Sequence, residues 1–196
     1  MALTFRSAAA VAALLAGAWT SSHSAHAAVS VLGGQMAESC YKHAIDAADR
    51  GRLDYDAIKT CTLALAAEPL NTHDFAGTHV NRGVLELVRG HYWDAKRDFD
   101  TGVKLMPELG EAWTNRGAAQ VALQQWQDGI ADIDRGLALN AEEPEKAYFN
   151  RALAYEGLGD LKQAYLDFKK ASELKPDWDQ PRQEMARFTL TPTAGS

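Results

Sequence analysis

The dipeptide Asn-Arg recurs at Asn81-Arg82, Asn115-Arg116 and Asn150-Arg151, with steps of 34 and 35 residues between copies. An Asp follows each Arg by 16 residues, at Asp98, Asp132 and Asp167. These residue types suit recognition rather than bond-making. A carboxamide both gives and accepts hydrogen bonds, so it can pair with any peptide unit. A guanidinium fork matches a carboxylate in two parallel bonds. Two uses of the Arg residues stay open on spacing alone: ion pairs between helices, or a basic track for an acidic ligand. Nothing else in the chain looks catalytic. It has no G-x-S-x-G elbow, no phosphate-binding Gly loop and no H-E-x-x-H. His43, His73, His79 and His91 are scattered and form no ligand cluster by spacing, so neither a metal nor a cofactor is expected.

The positioning elements follow from the small residues that keep the same phase. Gly83, Gly117 and Ala152 come directly after the Asn-Arg pairs, Ala95, Gly129 and Ala164 come 12 positions later, and Gly102, Gly136 and Ala171 another 7 on. Such a period marks stacked helical hairpins, each burying its apolar face only against its neighbours. Helix pairs are predicted over 77–89 and 92–105, 111–123 and 126–139, and 145–158 and 161–174. Pro107 and Pro176 stop the second helix of their units. A degenerate hairpin at 38–71 precedes them, with His43-Ala44 in place of Asn-Arg and Thr60 in place of the Asp. Four extra residues, 72–75, separate it from the next unit. The units run 76–109, 110–143 and 145–178, followed by a capping helix, 179–188, and a tail, 189–196, expected to be disordered.

Ahead of the array, Arg6 is the one charge before the Ala/Leu-rich run 8–18, and Ala25-His26-Ala27 has the small-x-small form of a signal-peptidase site. Residues 1–27 are therefore expected to be a leader and 28–37 a linker. The run is shorter than the roughly 20 residues a membrane-spanning helix needs. Export to the periplasm, or outside the cell, is the expected location. Loss of Arg6 would take the formal charge from −6 to −7. Basic residues are mixed among acids without an aromatic-interleaved stripe, which argues against nucleic acid as a partner.

Trp113, Gly117, Trp126, Gly129, Gly136 and Leu139 in one unit, with Tyr148, Ala152, Tyr155, Gly159, Ala164, Phe168, Ala171 and Pro176 in the next, make the chain resemble the tetratricopeptide repeat family. The resemblance runs from about 38 to 188. It implies an all-α, right-handed α-solenoid of about four helix hairpins plus a capping helix. Gly102 and Gly129 stand where the family usually has Ala, which should loosen each helix by about 1 kcal/mol. The resemblance also implies that Asn81, Asn115 and Asn150 face a concave groove as a ladder for an extended peptide, although they could instead brace neighbouring helices. On that helix face, Val80, Val84, Leu87, Thr114, Ala118, Val121, Phe149 and Leu153 would line the groove. No Lys or Arg is among them, unlike the clamp for acidic peptide ends in some heat-shock co-chaperones. Cys40 and Cys61, the only cysteines, fall side by side in the degenerate hairpin and read as one disulfide. A redox-active pair is the alternative, without C-x-x-C spacing. The expected function is an exported, non-catalytic adaptor that binds a protein or peptide. The alternative is an architectural subunit docking through its convex or end surfaces, and the sequence sets no oligomeric state.

Overall fold

The computed structural model describes residues 2–5 and 27–191. The described chain is nearly all helical: α1 (Gln35–Arg50), α2 (Ala57–Ala67), α3 (Thr72–Val88), α4 (Tyr92–Leu105), α5 (Gly110–Ala122), α6 (Trp126–Ala138), α7 (Pro144–Gly157), α8 (Leu161–Leu174) and α9 (Asp179–Met185). Consecutive helices pair as four hairpins, and α9 packs on α8. Across hairpins, α1 packs on α3, α3 on α5 and α5 on α7, which places the first helices on the inside of an α-solenoid. The inner wall curls far enough that Asp49, at the end of α1, comes within 3.7 Å of Lys146 at the start of α7.

The turns inside three hairpins share one geometry. At the end of α3 the His91 amide bonds the Glu86 carbonyl and the Gly90 amide bonds Leu87, and the same pair of bonds recurs after α5 and α7. The left-handed residue this requires is Gly90 (φ 81°), Gln124 (φ 61°) and Gly159 (φ 80°) in turn.

The hairpins close on their small residues. A Cβ on Gly83 would lie 2.5 Å from the Phe99 ring, and one on Gly117 would lie 2.6 Å from Ile133, so each small residue admits a large side chain from the second helix. In the third hairpin the approach is backbone to backbone. A Cβ on Gly129 would sit 2.8 Å from Val121 Cγ2 and 3.1 Å from the Gly117 carbonyl oxygen. The expected loosening at Gly129 is therefore outweighed by close contact. Gly129→Ala, which propensity favours by about 1 kcal/mol, should instead destabilise by about 1–3 kcal/mol because Val121 and the facing backbone cannot yield. Urea denaturation checks the sign.

Two ends differ from expectation. The stretch 28–37, predicted to be a linker, is packed: Val29 and Val31 are buried, and α1 already begins at Gln35. At the other end the capping helix stops at Met185, and Phe188–Thr191 (β2) pairs antiparallel with Ala2–Phe5 (β1), which the sequence assigns to the leader. The alternation Phe-Thr-Leu-Thr has the period of a strand. The leader residues 6–26 and the tail beyond 191 lie outside the described residues. Arg187, just before β2, ties this end down by pairing with Glu156 at 2.7 Å and Glu184 at 2.6 Å. Burial pushes both carboxyls above their ordinary range, against the pull of that guanidinium. Among the described residues, no helix is long and apolar enough to cross a membrane.

Candidate functional site: the inner groove

Each recurrent Arg meets its Asp. Arg82 donates to both Asp98 oxygens at 2.8 and 2.7 Å, Arg116 to Asp132 at 2.6 and 2.8 Å, and Arg151 to Asp167 at 2.7 and 2.9 Å. The remaining guanidinium nitrogen reaches back to the preceding hairpin, to Thr62 from Arg82, to Asp100 from Arg116 and to Asp134 from Arg151. Sequence reasoning missed this second partner, although the signal was present: Asp100 and Asp134 share a repeat phase, and Lys169 occupies it in the fourth hairpin. The Arg residues therefore stitch hairpin to hairpin, with Arg116 also over the Trp113 ring at 4.7 Å. Burial raises the Asp98 carboxyl, but hydrogen bonds from Arg82 and His79 outweigh it and hold the group below its usual range. With these carboxylates in place, the Arg residues offer no basic track.

Several residues expected to line the groove lie in seams instead. Val80 faces Gly102 of α4, and Thr114 faces Gly136 of α6, where added Cβ atoms would come within 2.7 and 2.3 Å. The Phe149 ring meets Phe168 of α8 at 5.2 Å and Trp178 at 4.9 Å. Val84 is fully buried in the core around α3, and Leu153 is half-buried between the third and fourth hairpins. A helical period fixes a face but not the neighbour that covers it. Val80, Thr114 and Phe149, each one residue before an Asn, lie about 100° around the helix from it and face the second helix of their own hairpin.

The Asn positions behave differently. All three carboxamides are fully buried, and the partners of Asn81 show what such a group does here. Val29 donates its amide to Asn81 Oδ1 at 2.7 Å, and Asn81 Nδ2 donates to the Val29 carbonyl at 2.8 Å. One side chain thus satisfies both polar groups of one residue. Further along the same stretch, Leu32 and Gly33 donate consecutive amides to the two oxygens of Asp74, at 3.1 and 2.9 Å. Burial raises the Asp74 carboxyl, but these amides and the neighbouring His73 bring it below its ordinary value. Asp74, Gly77 and Asn81 follow spacings of three and four, one stripe of α3. Asp74 belongs to the four residues that interrupt the repeat, which form the first turn of α3, capped by Asn71. Neither Asp74 nor Gly77 was singled out from sequence. The available signals were that insertion, one helical turn long, and the alternation Val29-Ser30-Val31.

Cys40 and Cys61, both fully buried, are bonded between α1 and α2 with Cα atoms 4.9 Å apart. In the same hairpin Glu68, at the end of α2, accepts the Met36 and Ala37 amides at 2.8 and 2.9 Å and so caps α1. Glu86, His91 and Asp94 gather near the α3–α4 turn. His91 is already 2.7 Å from Glu86, and Arg97 engages Asp94.

A family model described as "Tetratricopeptide repeat" matches residues 145–177, the fourth hairpin. The crystal structure of MamA superposes on 74% of this chain and 80% of its own, at 24% identity and a TM-score of 0.56. The fold is that of a tetratricopeptide repeat array. Other tetratricopeptide arrays are similar to it, including the first such domain of Spaghetti (RPAP3) bound to HSP90 peptide SRMEEVD. That likeness has 26% identity over 57% of this chain and 89% of that one, with a TM-score of 0.52. Sperm-associated antigen 1 of Mus musculus is 27% identical over 59% of this chain and 12% of that protein. Mitochondrial import receptor subunit TOM70 of Homo sapiens is 30% identical over 50% of this chain and 17% of that protein. The chain thus spans less than a fifth of these curated relatives.

Proposed function

We propose that this protein is an exported, non-catalytic adaptor whose inner groove binds an extended segment of a partner protein. The single observation that carries this is the Asn81 carboxamide, which satisfies both backbone groups of Val29 inside the groove. Asn115 and Asn150 hold the same repeat phase one and two hairpins further along and are as fully buried, so a partner reaches them only by displacing what covers them. Such a ladder reads main chain, so affinity comes from peptide groups and selectivity from the pockets between them. One relative is bound to an acidic HSP90 peptide. Here the stripe next to Asn81 ends in the carboxylate of Asp74, which receives amides and would repel an acidic ligand. An apolar or neutral segment suits this groove. Export is supported by the leader-like first 27 residues and by the buried cystine, which suits an oxidising compartment.

The test is selection of peptides from a displayed random library by the full chain, followed by titration against Asn115→Ala/Asn150→Ala. Each carboxamide lost removes hydrogen bonds worth about 1 kcal/mol net apiece, so the double variant should bind at least about tenfold more weakly. Its thermal unfolding should remain cooperative. Undiminished binding by a folded double variant would favour the architectural alternative, docking through convex or end surfaces.

A further inference from the structure

The stretch 28–33 is not simply near the groove; its backbone satisfies Asp74 and Asn81, and its valines cover Gly77. Val29 and Val31 are 5% and 4% exposed, whereas Leu32, whose own amide binds Asp74, is 94% exposed. Ser30 is exposed as well. That alternation is the period of an extended chain laid on a surface. Gly77 explains why the chain can lie so close. A Cβ there would stand 2.9 Å from Val29 Cγ1 and 3.1 Å from Val31 Cγ1. The stripe Asp74, Gly77 and Asn81 thus recognises two features together: peptide groups at both ends, and β-branched side chains at alternate positions over a glycine floor.

Resting on the groove reading above, we infer that residues 28–33 are a resident ligand of the protein's own groove. The partner segment is then neutral and extended, carries β-branched residues at positions i and i+2, and enters by displacing residues 28–33. The tether is short, because α1 begins at Gln35, two residues after Gly33. A segment so tethered acts at an effective concentration in the millimolar range. The groove is open only for the fraction of time the segment is out, and a partner's apparent affinity falls by that fraction. Asn81 serves both occupants, so its loss weakens competitor and partner together. The variants that separate them lie in the segment.

The probe is a labelled synthetic peptide, Ala-Val-Ser-Val-Leu-Gly, titrated into the full chain. Val29→Asp/Val31→Asp should eject the segment, since neither charge can be buried over Gly77 unpaired, and leave the α3 stripe untouched. That variant should bind the peptide at least about tenfold tighter than the native chain. Adding Asn81→Ala should remove the gain, and a peptide with Asp at both valine positions should bind neither protein. If the Asp pair compromises cooperative unfolding, Val29→Ser/Val31→Ser provides the same comparison with a milder change. Equal binding by the native chain and a folded segment variant overturns the inference. It leaves the groove reading standing, because that reading is tested by library peptides and by Asn115 and Asn150. Sedimentation identifies the donor of the strand: the native chain should give a monomer. A dimer that the segment variant returns to monomer would mean that a second copy supplies the strand, and would overturn occupancy in cis.

Discussion

Arg116→Met should lower the unfolding free energy by about 3 kcal/mol, near the lower end of the cost of removing one partner from a buried pair. Arg116 touches three things at once: both oxygens of Asp132, one oxygen of Asp100, and the face of Trp113. Asp132 is 7% exposed, with little water to replace the fork. Asp100, with 42% of its side chain exposed, would rehydrate. Asp100→Asn should therefore cost less than about 1 kcal/mol, as an exposed pair does. Urea midpoints that shift with unchanged slope would measure both. Equal costs for the two would mean that the exposed contact, not the buried fork, holds the seam. The equivalent pair at Asp98 adds a pH dependence. Its carboxyl is held below its unfolded value, so it contributes stability that is present above about 3.9 and lost as pH falls through the lowered folded value. Arg82→Met should raise that carboxyl, which NMR titration reads directly.

Removal of the cystine should be equally costly. Cys40→Ala/Cys61→Ala opens a loop closed across a separation of 21 residues, for which chain entropy gives about 3 kcal/mol. The first hairpin has little else in its place. Where later hairpins have Asn-Arg and Asp, it has His43, Ala44 and Thr60. Among the described residues, besides packing and the cystine, the hydrogen bonds spanning the two ends of the pair are those from Met36 and Ala37 to Glu68. Hydrogen exchange should show α1 and α2 opening before the other hairpins once the bond is removed, as a locally weakened unit does. Uniform protection across all four hairpins in that variant would show that the bond adds nothing to this one.

The hairpins were legible because a 34-residue step repeats helix length, turn and small-residue phase together; α4 and α8 have the limits that phase predicts. The Arg–Asp forks were legible for a similar reason, since opposite charges kept a constant separation. What each helix face meets was not legible. Val80, Thr114 and Phe149 share the apolar periodicity of a groove and of a seam, and only the position of α4, α6 and α8 decides between them. Gly102 and Gly129 read as propensity losses, yet the approach of two backbones gives Gly129 its place. Least legible was the occupied stretch of groove. Asp74 and Val29 lie where the repeat is interrupted or has not begun, so no phase pointed to them.

Amide hydrogen exchange at Val29, read by NMR in the full chain and in Asn81→Ala, tests the central claim most directly. If the groove is a site for peptide backbone read by a carboxamide, Val29, Leu32 and Gly33 exchange slowly in the native chain. Val29 then loses at least about tenfold of its protection in the variant, while the amides of α3 keep theirs. Val29 exchanging at the rate of an unstructured peptide in the native chain would contradict it.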